Sequence, residues 1–169
     1  MVLVTGGARA GKSAFARMRA EAAGGAPRLF IATAHAGDDE MRARIARHQR
    51  ERGPTWRTVE AALDPASAVR AAADARVVLI DCLTLWLSNL MLAGRDDEAI
   101  DAAAADLCAT ASAARCPLFV VTNEVGLGIV PEHPLARRFR DLAGLTNQRF
   151  AAAASELYLL VCGQPLRIK

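Results

Sequence analysis

Lysine is almost missing from these 169 residues: Lys12 and Lys169 are the only two, and arginine supplies the rest of the positive charge. A guanidinium suits bidentate phosphate or carboxylate contacts, but high-GC codon usage gives the same bias, so arginine richness assigns no partner. Aromatics make up only 5% of the chain and the formal net charge is +3. Without a basic stripe laced with aromatic rings, a motor tracking nucleic acid is disfavoured. The four cysteines, Cys82, Cys108, Cys116 and Cys162, show neither C-x-x-C spacing nor a nearby histidine pair. That argues against a zinc site or disulfide framework and leaves buried free thiols as the expectation. No apolar run reaches the roughly 18–20 residues that span a bilayer; the richest, Leu83–Leu92, is half that length. No signal peptide precedes the first predicted strand, so the expected compartment is the cytoplasm, with no membrane insertion. Internal repeats, low-complexity linkers and composition breaks are also missing, which leaves residues 1–169 as one expected domain.

What is present begins at once. The short apolar run Val2–Thr5 is followed by Gly6-Gly7-Ala8-Arg9-Ala10-Gly11-Lys12-Ser13, with the spacing G-x-x-x-x-G-K-S. A strand, this loop and a helix together form a phosphate-binding turn. Backbone N–H groups wrap a polyphosphate at a helix N-terminus, where the dipole favours anions. Lys12 can bring a point charge to the β- and γ-phosphates, and the Ser13 hydroxyl can hold Mg²⁺. The implied ligand is a nucleoside triphosphate.

Strand-like and helix-like patterns alternate along the rest of the chain. Strands are predicted at Val2–Thr5, Arg28–Thr33, Thr55–Glu60, Arg76–Asp81, Pro117–Thr122 and Glu156–Cys162, with a short edge strand at Pro165–Ile168. Helices are predicted from Lys12 to about Ala23, from Asp38 or Asp39 to about Arg52, and over Pro65–Ala73, Leu83–Leu92, Asp96–Arg115 and residues 134–154. The Leu83–Leu92 helix is apolar nearly all round and should be buried. This alternation implies an α/β fold: a mainly parallel sheet with helices on both faces and ligands at the C-terminal ends of its strands.

Asp81 ends the fourth strand after four apolar residues, the pattern of an acidic group that orders Mg²⁺ opposite a phosphate loop. Capping of the helix that starts at Leu83 is the alternative, and the two roles are compatible. On the predicted helix 39–52, Met41, Ile45, His48 and Arg52 share one face, which turns His48 toward the protein. A neutral imidazole there is either a nucleophile or a partly buried histidine satisfied by hydrogen bonds. His35 lies in the loop after the second strand, near any bound nucleotide, and His133 lies in a turn. The segment Asn123–Pro131, polar at its start and holding two glycines, reads as a substrate or interface loop. Its opening Asn123-Glu124-Val125-Gly126 stands where a guanine-reading switch protein would carry N-K-x-D, which disfavours that class. Arg137, Arg138 and Arg140 crowd one helical turn, as a phosphate or subunit contact or as a solvated face.

Taken together, VTGGARAGKS, IATA, DDEMRARIARHQRER, WRTVE, LIDCLTLWLSNL, TNEVGLGIVPEHPLARRFRDLAG, NQ and PLRIK resemble the bifunctional adenosylcobinamide kinase/adenosylcobinamide-phosphate guanylyltransferase family of cobalamin biosynthesis. The resemblance runs in order from Val4 to Lys169. It implies a RecA-like P-loop fold and a homo-oligomer, a trimer in the family. It also implies two reactions: phosphorylation of adenosylcobinamide with ATP or GTP, then GMP transfer from GTP to adenosylcobinamide phosphate through a covalent GMP–histidine. The nucleophile of the R-I-x-x-H pattern falls on His48. Nucleotide contacts carry over to Gly6–Ser13, to Thr33, Ala34 and His35, to Glu51 and Arg52 after His48, to Glu60 and to Asp81, with Ser13 and Asp81 on Mg²⁺. Two places depart from the family pattern: Ala10 stands in place of a common serine, and Leu145-Thr146 in place of a frequent arginine-leucine. A P-loop small-molecule kinase without guanylyl transfer is the alternative reading.

Overall fold

The computed structural model describes residues 1–34 and 53–169. The helix expected over 39–52, and with it the stripe of Met41, Ile45, His48 and Arg52, lies outside the described residues. Among the described residues, the chain runs β1 (Val2–Gly6), α1 (Lys12–Ala23), β2 (Arg28–Ala32), β3 (Trp56–Glu60) and α2 (Pro65–Arg70). It continues with β4 (Val77–Asp81), α3 (Leu83–Leu92), α4 (Asp97–Ser112), β5 (Leu118–Val121), α5 (Pro134–Ala153), β6 (Glu156–Val161) and β7 (Gln164–Arg167). Each expected element outside 35–52 is present, with ends shifted by a few residues.

The strands form one sheet in the order β3-β2-β4-β5-β1-β6-β7. All neighbours pair in parallel except β7, which returns antiparallel along β6. Parallel strands need crossovers, and helices cover both faces, so the central strands are apolar on both sides. Alternate residues separate into two cores. Leu3, Leu29, Ile31, Val78, Ile80, Leu118 and Val120 face α2, α3, α4 and α5. Val2, Val4, Phe30, Leu79, Phe119, Val121 and Leu160 face Ala16 and Ala20 of α1. At about 25 cal/mol per Å² of apolar surface removed from water, each such side chain contributes on the order of 2 kcal/mol.

Local chemistry sets the helix ends. Asp64 and Asp96 cap α2 and α4, accepting from Ser67 N at 3.0 Å and Ala99 N at 2.8 Å. His133, expected in a turn, caps α5 through Nδ1, which accepts from Leu135 N at 3.2 Å. Helix α3 is buried along most of its length, as its all-round apolarity implies, and Trp86 Nε1 still finds a partner in Leu63 O at 3.0 Å. Its last residue, Leu92, stands out into solvent. All four cysteines are free thiols. Cys82 and Cys108 are buried and Cys116 is half-buried, but Cys162 is exposed because it sits in the turn between β6 and β7.

The connections fix where a crevice opens. Helix α1, following β1, lies on one face of the sheet. Helix α5, following β5, lies on the other. Strands β1 and β5 are neighbours, so the chain leaves their C-terminal ends toward opposite faces. Ligands of open α/β sheets bind at such a switch point.

Candidate functional site

The phosphate loop hangs between β1 and α1, and its two diagnostic glycines are required by geometry. Gly6 has φ +148°, and a Cβ there would lie 2.5 Å from the Leu160 carbonyl oxygen on the adjacent β6. Gly11 has φ +91° and caps α1 in the left-handed region. Among the described residues no side chain caps this helix end, which leaves the first-turn N–H groups to an incoming anion. The loop is held from outside as well as within. Glu124 N donates to Gly6 O at 3.1 Å, and Gly163 N donates to Ala10 O at 3.1 Å. Lys12 is only 7% exposed and its Nζ donates to Gly7 O at 2.6 Å. A buried ammonium folded back on its own loop is placed to exchange that carbonyl for phosphate oxygens.

Asp81 closes β4, one strand beyond β5, and its register partner there is Val121. The cap position of α3 belongs to Cys82, with no side-chain cap, so the capping alternative for Asp81 does not apply. Burial pushes the Cys82 thiol up, with the Asp81 charge adding to that effect and Lys12 opposing it. Both charges therefore act on the Cys82 thiol, just past the end of β4. A carboxylate and the Ser13 hydroxyl are hard oxygen donors, and that donor set suits Mg²⁺.

Thr33 is fully buried. It accepts from Cys82 N and donates to Cys82 O, both at 2.7 Å through Oγ1. Its own carbonyl accepts from Asn89 Nδ2 at 2.7 Å. Thr33 thus ties the end of β2 to the residue after Asp81, across a peptide that is cis between Asp81 and Cys82. Ala34 follows on the same rim and is half-buried. Glu60 is exposed at the end of β3, level with Ala32, four interstrand steps or about 19 Å from β1. The fold therefore brings Gly6–Ser13 and Asp81 together, sets Thr33 and Ala34 beside them, and keeps Glu60 at the far end of the rim. His35, His48, Glu51 and Arg52 lie outside the described residues.

A polar network at this rim has no signature in the sequence. Asn123 Nδ2 donates to Thr84 Oγ1 at 2.6 Å, and Asn147 Nδ2 donates to Asn123 O at 3.0 Å. Thr122 Oγ1 donates to Asn147 Oδ1 at 2.7 Å. These bonds lock the end of β5 to α3 and α5. Beyond it, Glu124 Oε1 accepts from Gly126 N at 2.7 Å. The arginine cluster also finds its partners here. Arg140 donates to Gly126 O at 2.9 Å, Arg137 to Pro131 O at 3.0 Å and Glu132 O at 2.5 Å, and Arg138 to Asp97 at 2.6 Å. Arg137 and Arg140 pin the segment 123–131 near both ends, while Leu127 and Ile129 between them are 89% and 97% exposed.

Comparison with known proteins carries the assignment further. Residues 2–168 match the family described as cobinamide kinase / cobinamide phosphate guanyltransferase. The bifunctional adenosylcobalamin biosynthesis protein CobU of Salmonella typhimurium is 45% identical over 184 residues, covering 100% of this chain and 99% of its own. Its namesake in Escherichia coli is 44% identical over the same shares. The corresponding protein CobP of Pseudomonas aeruginosa is 42% identical, over 99% of this chain and 96% of its own. Among solved structures, the flagellar accessory protein FlaH of Methanocaldococcus jannaschii superposes with a TM-score of 0.53 at 12% identity, covering 99% of this chain and 77% of that one. That likeness bears on the fold alone and agrees with a RecA-like P-loop architecture. A phosphate loop with a buried lysine, a carboxylate at the end of the next strand but one, and matches spanning nearly every residue converge on one answer. The chain belongs to the cobinamide kinase/cobinamide phosphate guanyltransferase family.

Proposed function

We propose that this chain catalyses both reactions of its family. It phosphorylates adenosylcobinamide with ATP or GTP, then transfers GMP from GTP to adenosylcobinamide phosphate, giving adenosylcobinamide-GDP and pyrophosphate. The observation that carries the proposal is the phosphate loop itself, with Lys12 buried at an uncapped helix end, in a chain related to bifunctional enzymes over its whole length. In the kinase reaction the loop N–H groups and Lys12 hold the β- and γ-phosphates while the corrinoid hydroxyl attacks the γ-phosphorus. In the transferase reaction the His48 imidazole attacks the α-phosphorus, pyrophosphate leaves, and the phosphate of the corrinoid then displaces His48.

Nucleotide contacts extend from Gly6–Ser13 to Thr33, Ala34, His35, Glu51, Arg52, Glu60 and Asp81. With its hydroxyl committed to Cys82, Thr33 contributes by holding Ala34 in place. Ser13 and Asp81 are the groups that would hold Mg²⁺, which neutralises phosphate charge when bound. The active form is a cytoplasmic homo-oligomer, by family a trimer. No described helix is long and apolar enough to cross a membrane.

Incubation with Mg²⁺ and GTP labelled at the α-phosphate, without corrinoid, tests the transferase half. Acid-labile, base-stable label is expected on the wild type and absent from His48→Ala. A folded, GTP-binding wild type that takes up no label would leave only the kinase reaction.

A further inference from the structure

The alcohol that attacks a γ-phosphate must lose its proton; the phosphate loop and Lys12 carry no base for it, and Asp81 is assigned to the cation. We propose that Glu124 is the general base of the kinase reaction, an inference that rests on the kinase reading above.

Its position is the argument. Strand β5 lies between β1, which carries the phosphate loop, and β4, which ends in Asp81. Residues 122–124 continue β5 beyond Val121 into the switch-point crevice. Thr122 N donates to Val4 O at 2.9 Å and Glu124 N donates to Gly6 O at 3.1 Å, so the main chain of Glu124 is bonded to the first residue of the loop. The preceding Asn123 is fixed by Thr84 and Asn147, which gives the carboxylate a rigid base. Glu124 is half-buried, and one of its oxygens, Oε1, is engaged by Gly126 N at 2.7 Å. That bond orients the group and, among the described residues, leaves Oε2 for a substrate. Among the described residues, Asp81, Glu124 and Glu60 are the carboxylates at the C-terminal ends of the strands. Asp81 suits the cation, and Glu60 lies four strands away from β1. Glu124 remains, on the strand next to the loop.

The step balances simply. The corrinoid hydroxyl gives its proton to Glu124 Oε2 as its oxygen forms the new bond to the γ-phosphorus. The bond from that phosphorus to the β–γ bridging oxygen breaks, and its electron pair leaves with the nucleoside diphosphate.

A purely structural role for Glu124, bracing the turn at Gly126, predicts something different from a base, and Glu124→Gln separates the two. Glutamine keeps an oxygen to accept the Gly126 N–H but cannot take a proton at neutral pH. The assay is transfer of label from γ-labelled ATP or GTP to adenosylcobinamide by the full chain, with thermal unfolding as the folding control. A base predicts that kcat falls by roughly 100-fold or more in Glu124→Gln, a far larger loss than in guanylylation of the protein. Adding formate to Glu124→Ala should restore a good part of the lost rate, which a brace would not do. Kinase activity of Glu124→Gln within about threefold of wild type, or folded Glu124→Ala with no response to formate, overturns the assignment. A wild type that labels itself with GMP but phosphorylates no corrinoid overturns the kinase reading itself.

Discussion

At the level of single residues, the proposed mechanism separates the two activities through Lys12 and His48. In that mechanism the loop over Lys12 serves both reactions, whereas His48 is needed only where GMP is carried on the protein. Lys12→Ala is therefore expected to depress phosphorylation and GMP labelling together, by about 10²-fold or more in kcat/KM, the range for removing one charge-stabilising group. His48→Ala should abolish GMP transfer and leave corrinoid phosphorylation largely standing; paired radiolabel assays on the two variants check this. Gly6 shows how little room the loop has. A methyl group there would meet the Leu160 carbonyl at 2.5 Å with φ at +148°, so Gly6→Ala should cost about 1–3 kcal/mol in backbone strain alone. Urea unfolding reads that cost, and loss of the GTP-induced rise in Tm reads the damage to the loop.

Glu156 has a measurable signature of its own. It accepts from Tyr158 Oη at 2.5 Å and from Arg19 at 3.0 Å, and these contacts, Tyr158 first, hold its carboxyl below the ordinary value of 4.5. A carboxylate with a depressed folded pKa stabilises the protein above its unfolded pKa and loses that contribution as pH falls through the folded one. Glu156→Gln should therefore lower Tm near pH 7, and the gap to wild type should shrink as pH drops below about 4.5. A gap that stays constant into strong acid would refute the linkage.

At the scale of elements, the segment 123–131 is a strap rather than a free loop. Arg140 and Arg137 hold it by main-chain carbonyls near its two ends, and its apolar crown at Leu127 and Ile129 faces outward. Removing Arg140 takes away a partner of Gly126 O without touching either core. Arg140→Ala should leave Tm within a few degrees of wild type but speed limited proteolysis between residues 126 and 131, followed by mass spectrometry. The Arg137, Arg138 and Arg140 cluster was legible in the sequence, but its use was not. Spacing on a helix shows which residues share a turn, not which carbonyl comes back to meet them. The same limit applies to Thr84, Asn123 and Asn147. These lie on three segments far apart in the chain, and only the packing of α3 and α5 on one face of the sheet brings them into one network.

For the whole molecule, two cores on the faces of one continuous sheet among the described residues predict a single cooperative unfolding. Denaturation followed by far-ultraviolet circular dichroism and by tryptophan fluorescence should give coincident transitions, since Trp56 and Trp86 lie in different cores. Sedimentation equilibrium should return a multiple of the 17.9 kDa chain mass, three by family expectation.

The amino-acid sequence by itself determined the alternation of strands and helices, the phosphate loop and Asp81 at a strand end. Those features rest on local rules: a period of two or 3.6, glycine where φ is positive, and an acidic residue closing an apolar run. The all-round apolarity of Leu83–Leu92 likewise determined its burial. Only the tertiary structure decided that β5 stands between the loop and Asp81, and that the helices after β1 and β5 leave toward opposite faces. It also decided that Glu124 is bonded through its main chain to Gly6. Strand order depends on which crossovers pack best over the whole sheet, a non-local choice that no run of residues encodes alone.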